Sequence, residues 1–297
     1  MERSIGNDGS DTASDDAHTV VRTVAVSGAL RPYVSALMAT EIGQTGPLSL
    51  AVAPHESIVL SVQFGRARHG IEQKGLHGQN TRLTGIREWT GAFTGAGDCV
   101  TLFALLTPLG VVQLLDSQPL DSVPRIRAPL AGLLDQRVTR KLESAIALAP
   151  TLEARLRAFA AWLESRAKAK RRVDRTALRA GRAAMRLTHE PKVPIETLAD
   201  EQHVSRRQLE RDFSRWIGTS PRHLAQVARV QAVSRRAQMH GASLADIAAE
   251  VGFADQAHMS RVVRQLTGLT PQRFVRARQS PLARTFRQAT GGGTIYL

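Results

Sequence analysis

A chain of 297 residues has room for two ordinary domains with separate cores, and at 42% hydrophobic residues, with no run approaching about 18 apolar ones, it reads as globular rather than membrane-spanning. Forty Lys and Arg against 26 Asp and Glu leave a net charge of +14, nearly all of it carried by Arg, whose flat fork of donors suits phosphate oxygens and guanine edges; the excess points toward nucleic acid without excluding other acidic partners. The single cysteine, Cys99, excludes an intramolecular disulfide framework and any multi-cysteine metal site, and its place in the apolar run 99–106 suits a buried, inert thiol.

Residues 1–17 are acidic and polar, with no apolar stretch of the signal-peptide kind. They are expected to form a disordered tail on a cytoplasmic protein. Residues 18–128 have the texture of strands: Thr19–Val26, Leu48–Ala53, Ile58–Phe64 and Val100–Leu106 are apolar or β-branched runs. Turn signals fall at Gly43, Gly46-Pro47, Gly65, Gly70 and Gly95-Ala-Gly97. A small antiparallel sheet or barrel follows, making the whole chain α+β. Over 129–172 the spacing of Leu133, Leu134, Val138, Leu142 and Ile146, then Leu152, Leu156, Phe159 and Leu163, predicts two helices parted by Pro150. The stripe Leu133, Val138, Leu142, Ile146 suits either packing within the chain or a dimer seam. The basic run 168–172 suits a solvated linker or a phosphate-contacting strip. Residues 173–280 are helical throughout and hold eighteen Lys and Arg against ten Asp and Glu, so the positive charge is concentrated there. A polar, Gly-rich tail, 281–297, closes the chain.

Within that basic region the sequence repeats. Residues 198–205, LADEQHVS, resemble 247–254, IAAEVGFA, and Leu209, Arg211, Phe213, Gly218 and Ser220-Pro221 recur as Met259, Arg261, Val263, Gly268 and Thr270-Pro271. Each copy carries the chemistry of helix, tight turn, helix. In the first, Ser205 is a helix N-cap with Gln208 three residues on, a capping-box spacing, and the helix it opens buries Leu209, Phe213 and Trp216 before Gly218 ends it. In the second, Ser243 opens a helix carrying Leu244, Ile247, Ala248 and Val251, Gly252 makes the turn, and Asp255 caps a helix burying Met259, Val262, Val263 and Leu266. A helix from Pro221 to about His240 joins the copies; roughly 18 residues of it span about 27 Å, near the ~34 Å between successive major-groove segments on one duplex face. The outward sides of the two second helices carry Arg206, Arg207, Glu210, Arg211, Ser214 and Arg215 in one copy and Gln256, His258, Ser260, Arg261 and Arg264 in the other, side chains able to meet base edges and phosphates.

The run 252–271, GFADQAHMSRVVRQLTGLTP, and the run 204–213, VSRRQLERDF, resemble the DNA-binding domain of AraC/XylS-type regulators over about a third of the chain. The resemblance implies base contacts from Arg207, Glu210 and Arg211 in the first unit and Gln256, His258 and Arg261 in the second. It implies phosphate contacts from Ser205, Arg206, Arg215, Ser260 and Arg264. It further implies a transcription regulator, an activator more than a repressor, with RNA polymerase as a partner and no cofactor. Three positions depart from the pattern: His203 stands where the first turn usually has Gly, and Met259 and Val263 replace aromatic residues.

For the N-terminal domain two roles stay open, sensing a small-molecule effector in a mainly apolar barrel pocket or mediating homodimer or partner contacts. The rival from another class is a metal-dependent β-barrel enzyme fused to the DNA-binding module. It would need clustered His and carboxylates, whereas His55-Glu56, His69 and His77 are spread out and suit loop or surface positions. There is no nucleophile elbow, phosphate-binding glycine loop or paired-carboxylate motif.

Overall fold

The computed structural model describes residues 18–43, 47–65, 80–86, 91–96, 99–116, 118–121, 128–169, 173–237 and 243–276, with the single positions 284 and 288. The expected tails, Gly46, Gly70, Gly97, His69, His77, the side chain of Cys99 and residues 170–172 of the basic run lie outside what is described.

The strand-like texture becomes two sheets. The strands are β1 (His18–Val24), β2 (Val34–Gly43), β3 (Pro47–Val52), β4 (Ile58–Gly65), β5 (Asn80–Thr84), β6 (Gly91–Ala96), β7 (Cys99–Leu106) and β8 (Ala128–Pro129). Six of them pair in the order β1-β2-β7-β4-β5-β8, and β3 pairs with β6; every ladder is antiparallel. Gly95, read as part of a turn, instead lies inside β6 opposite Leu48. The central strands are buried almost continuously, as strands covered on both faces are: Ala36 to Thr40 in β2 and Leu102, Ala104, Leu105 and Leu106 in β7.

The texture misled at one place. Residues 108–114, full of Leu and Val, form a helix, α1 (Pro108–Leu114), where Thr107 accepts from Gly110 N and Pro108 occupies the first turn. Its surroundings override the β-branched Val111-Val112. Gly110 lies against Tyr33, whose carbonyl accepts Thr107 N at 3.0 Å. The opposite side of α1 meets Gly181, whose missing side chain leaves room for Leu109 and Val112.

After a single 3₁₀ turn (Leu130–Gly132) come α2 (Gln136–Ala147) and α3 (Leu152–Lys168), parted at Pro150 as expected. Leu133, Leu142 and Ile146 are buried and Val138 is partly so, all packed into the chain's own core. The stripe is thus satisfied without a second copy. Arg166 of α3 reaches the end of α1, donating to Leu114 O at 2.9 Å and pairing with Asp116 at 2.6 Å.

The remaining helices are α4 (Arg175–His189), α5 (Ile195–Glu201), α6 (Arg206–Ile217), α7 (Pro221–Arg236), α8 (Leu244–Val251), α9 (Gln256–Thr267) and α10 (Pro271–Arg276). Among the described residues the sheet region meets them on two sides, at α4 and α6 and at α7. Apolar α1 packs on α4, and Leu120 N donates to Arg215 O at the end of α6 at 2.6 Å. The loop between β3 and β4 lies on α7, where Gln231 donates to Pro54 O and Arg235 pairs with Glu56. His55, expected in a loop or at the surface, is in that loop but buried.

Candidate nucleic-acid interface

In the first module, α4 starts at Asp174, whose carboxylate accepts from Thr176 and Ala177; the Thr176 hydroxyl is the main cause of a pKa below the usual carboxylate range. α5 and α6 are joined by a tight turn in which His203 takes φ +54° and Val204 N donates to Ala199 O at 3.0 Å. The turn is fully formed despite the non-Gly residue. Relieving a left-handed Cβ is worth about 1–2 kcal/mol, and the extra unfolded-state freedom of Gly takes back about 0.4–1. His203→Gly is therefore expected to stabilise the protein by about 0.5–1 kcal/mol, seen as a higher melting temperature.

Ser205 caps α6 by accepting from Gln208 N, but the reciprocal half of the expected capping box is missing. The Gln208 amide is drawn to Asp212 instead, donating at 2.8 Å. Asp212 is buried, and its other oxygen takes two hydrogen bonds from Arg179 of α4, at 2.8 and 2.5 Å. Below this pair Leu209, Phe213 and Trp216 enter the core as their spacing predicts, with the Trp216 indole N–H donating to Thr176. Gly218, at φ +74°, ends α6, and Ser220 and Pro221 open α7.

α7 as described has 16 residues with its C-cap at Ala237, so it spans about 24 Å; residues 238–240 of the expected helix lie outside what is described. Arg235 and Arg236 in its last turn complement the C-terminal dipole at that end.

The second module holds the complete capping box, at Ser243 and Asp246. Gly252 turns the chain at φ +89°, and Asp255 caps α9 through His258 N. Two cations from outside the module fix the turn. Arg229 of α7 donates to Gly252 O at 3.0 Å with its guanidinium 5.4 Å from the Phe253 ring, and Lys192 donates to Ala249 O at 3.2 Å. A Cβ on Gly252 would stand 2.5 Å from Lys192 Cγ and push that side chain aside, and the left-handed φ of +89° itself favours glycine here. Met259 and Val263 fill the core in place of aromatics and are fully buried.

On the outer side of α6, Arg206, Arg207, Glu210, Arg211, Ser214 and Arg215 are all exposed. Arg206 is held by two carboxylates, Glu196 at 2.5 Å and Glu210 at 2.9 Å, so both it and Glu210 are occupied in the free chain. Arg211 donates to Gln208, and Arg215 lies 4.8 Å over Trp216. Arg207 has no acidic partner among the described residues. On α9, Gln256, Arg261 and Arg264 are exposed, while His258 and Ser260 are half-buried. His258 stands edge-on to Phe253, and its Nδ1 accepts from Ala254 N at 3.4 Å. That bond assigns the neutral ring its proton on Nε2, leaving a donor outward. The Ser260 proton goes to Gln256 O at 2.8 Å, so this hydroxyl must rotate before it can donate to a phosphate. Arg229, Lys192 and the Arg179–Asp212 pair were not singled out from sequence; only the polar positions on otherwise apolar helix faces hinted at them.

Each module is thus a helix, a left-handed turn and a capped second helix, fixed to a common rod, which is the architecture of a tandem helix-turn-helix unit. Residues 198–277 match a family model described as a helix-turn-helix domain. The solved structures similar to the chain include the following. A transcriptional regulator with an AraC-type DNA-binding domain from Chromobacterium violaceum is 26% identical, over 35% of this chain and 94% of that one, with a TM-score of 0.33. The C-terminal domain of AraT, a response regulator from Geobacillus stearothermophilus, is 22% identical over 36% and 91%, with a TM-score of 0.33. ToxT from Vibrio cholerae is 10% identical over 80% and 97%, with a TM-score of 0.42. No curated protein matches the chain in sequence. Among the described residues no helix is long and apolar enough to cross a membrane, and no three His, Cys, Asp or Glu are grouped to hold a metal ion.

Proposed function

We propose that the chain binds double-stranded DNA in a sequence-specific way, placing α6 and α9 in adjacent major-groove segments. The observation that carries this is the pair of capped helices that each hold an exposed arginine at the same station of the repeat, Arg211 and Arg261. Arg207, Glu210 and Arg211, and Gln256, His258 and Arg261, read bases in this scheme. Ser205, Arg206, Arg215, Ser260 and Arg264 meet phosphates, Arg206 after giving up its two carboxylates and Ser260 after rotating its hydroxyl. A donor at His258 Nε2 seeks an acceptor edge, such as a purine N7. Because α7 falls short of a full helical repeat of DNA, groove engagement needs some bending of the duplex or movement of one module.

The test is duplex selection from a random pool followed by binding isotherms. Arg261→Ala is expected to cost about 1–3 kcal/mol and to relax preference at one base pair, whereas Arg264→Ala weakens all sequences alike and lowers the salt slope by about 1. Equal affinity of parent and Arg261→Ala would overturn the groove assignment.

We further propose that the sheet region, 18–128, senses a small molecule that alters DNA presentation, with 129–172 as the helical connection, and that the protein activates transcription with RNA polymerase, as a homodimer or alone. Support for sensing comes from the sheet face turned away from α2. Cross-strand partners Thr40, Thr101 and Gln63 share it with Ser61 and Arg82, and all but Arg82 are buried. Such a row suits a ligand with hydrogen-bonding groups better than the mainly apolar pocket expected from sequence would. Ligands of both kinds are distinguished by which raise the melting temperature.

A further inference from the structure

The second helices of the two modules, α6 and α9, match station for station. Each has 12 residues, starts directly after its cap, Ser205 or Asp255, and ends at a left-handed glycine, Gly218 or Gly268. Equivalent residues therefore lie 50 positions apart, as Arg211 and Arg261 do. The side turned away from the core is polar at every outward station of α6. On α9 it is polar at every station but one: where α6 carries Arg207, α9 carries Ala257, and both are exposed.

Ala257 is in the first turn of α9, the end of such a helix that comes nearest the base edges. Arg261 stands one turn further on, on the same side of the helix. With Arg261 in the major groove, Ala257 meets the groove floor roughly 6 Å away along the helix, about two base-pair steps of ~3.4 Å. The neighbouring side chains leave it open. The Ser260 hydroxyl turns back to Gln256 O at 2.8 Å, and the His258 ring stands edge-on to Phe253. What this station selects follows from its lack of polar atoms. The major-groove edges of guanine, adenine and cytosine offer acceptors or donors, and thymine alone adds an apolar group, its C5-methyl. A methyl side chain pressed on a polar edge strips water and gives no hydrogen bond in return. Pressed on the thymine methyl, it takes hydrocarbon of both partners out of water. Arg207 has the opposite preference, a bidentate fit to guanine O6 and N7.

We infer that Ala257 determines specificity by packing on a thymine C5-methyl in the element read by α9, at the station where Arg207 of α6 takes a guanine. This rests on the DNA-binding reading and adds to it a contact made by a residue with no polar side-chain group. The two elements of the recognised site are unlike at this station although the modules that read them are alike.

The experiment uses the full chain and a duplex it selects from a random pool. In the element where Arg261→Ala relaxes preference, each thymine is replaced singly by deoxyuridine, which deletes the C5-methyl and keeps the hydrogen-bonding edge. The parent is expected to bind about 4-fold more weakly at one such position, the worth of one buried methyl-sized group. Ala257→Gly removes the opposing methyl, so its affinities for the thymine and uracil duplexes are expected to agree. A weaker first turn would lower both alike and leave their ratio unchanged. Ala257→Arg, reselected from the same pool, is expected to exchange that A·T pair for a G·C pair. Circular dichroism checks the fold of each variant, and where Ala257→Gly does not fold the reselection decides. Parent affinity that no uracil changes, a thymine preference that persists in Ala257→Gly or Ala257→Arg, or an element without thymine overturns the inference and leaves the DNA reading standing. A parent that selects no duplex, or an Arg261→Ala variant that keeps every preference, overturns the DNA reading, and the thymine contact falls with it.

Discussion

Gly110→Ala is expected to destabilise the protein by about 3 kcal/mol, at the upper end of the usual overpacking penalty. The new Cβ would stand 1.9 Å from the Tyr33 carbonyl oxygen and 2.7 Å from its carbon, and both are backbone atoms that cannot swing aside. The same oxygen accepts the Thr107 N–H that begins α1, so relief of the clash costs that bond or shifts the helix. A shifted α1 also loses its fit of Leu109 and Val112 against Gly181. The effect therefore spreads from the sheet region to the first module. Urea denaturation should show a lower midpoint at an unchanged slope. Gly132→Ala is the control: nothing lies within 4 Å of its Cβ position, and a change of under about 0.5 kcal/mol is expected.

Arg179→Met comes next in size, with an expected loss of about 3 kcal/mol. It strips the two hydrogen bonds from one oxygen of Asp212, a residue only 4% exposed, and leaves a buried carboxylate with Gln208 alone. The loss lies in the orphaned charge more than in the attraction removed. Arg179→Met with Asp212→Leu should accordingly recover most of the stability. A double variant no better than the single would show that packing of the Arg179 stem, not the charge, was the cause. Because Asp212 also orients Gln208, which accepts from Arg211, the single change should disturb the exposed side of α6 as well.

Much of the helical region was legible because its signals are local. Ser205, Ser243 and Asp255 each cap the helix expected of them, and Gly218, Gly252 and Gly268 each take the left-handed conformation that closes a helix. What was not legible depends on partners far along the chain. Gln208 has the spacing of a capping box, but Asp212, itself fixed by Arg179, competes for its amide. Val111 and Val112 look like strand residues until Tyr33 and Gly181 are placed on either side of them. His55 reads as an ordinary loop histidine because nothing in its neighbourhood announces a helix that starts at Pro221.

The candidate site divides in the same way. Exposure of Arg207, Arg211, Arg261 and Arg264 follows directly from the apolar faces opposite them. The occupation of Arg206 by Glu196 and Glu210, the inward hydroxyl of Ser260 and the fixing of His258 by Phe253 do not. They arise from how neighbouring turns lie against each helix. Arg229 is the plainest case, since its role is to hold a carbonyl more than twenty residues away, at Gly252.

Base preferences of the parent, Arg211→Ala and Arg261→Ala, obtained by selection from one random duplex pool, bear most directly on the tandem-module account. The parent should select two short elements about 10–11 base pairs apart, centre to centre. Arg211→Ala should lose preference within one element and Arg261→Ala within the other. Relaxation of the same base pair by both variants, or a selected site with only one element, would contradict it.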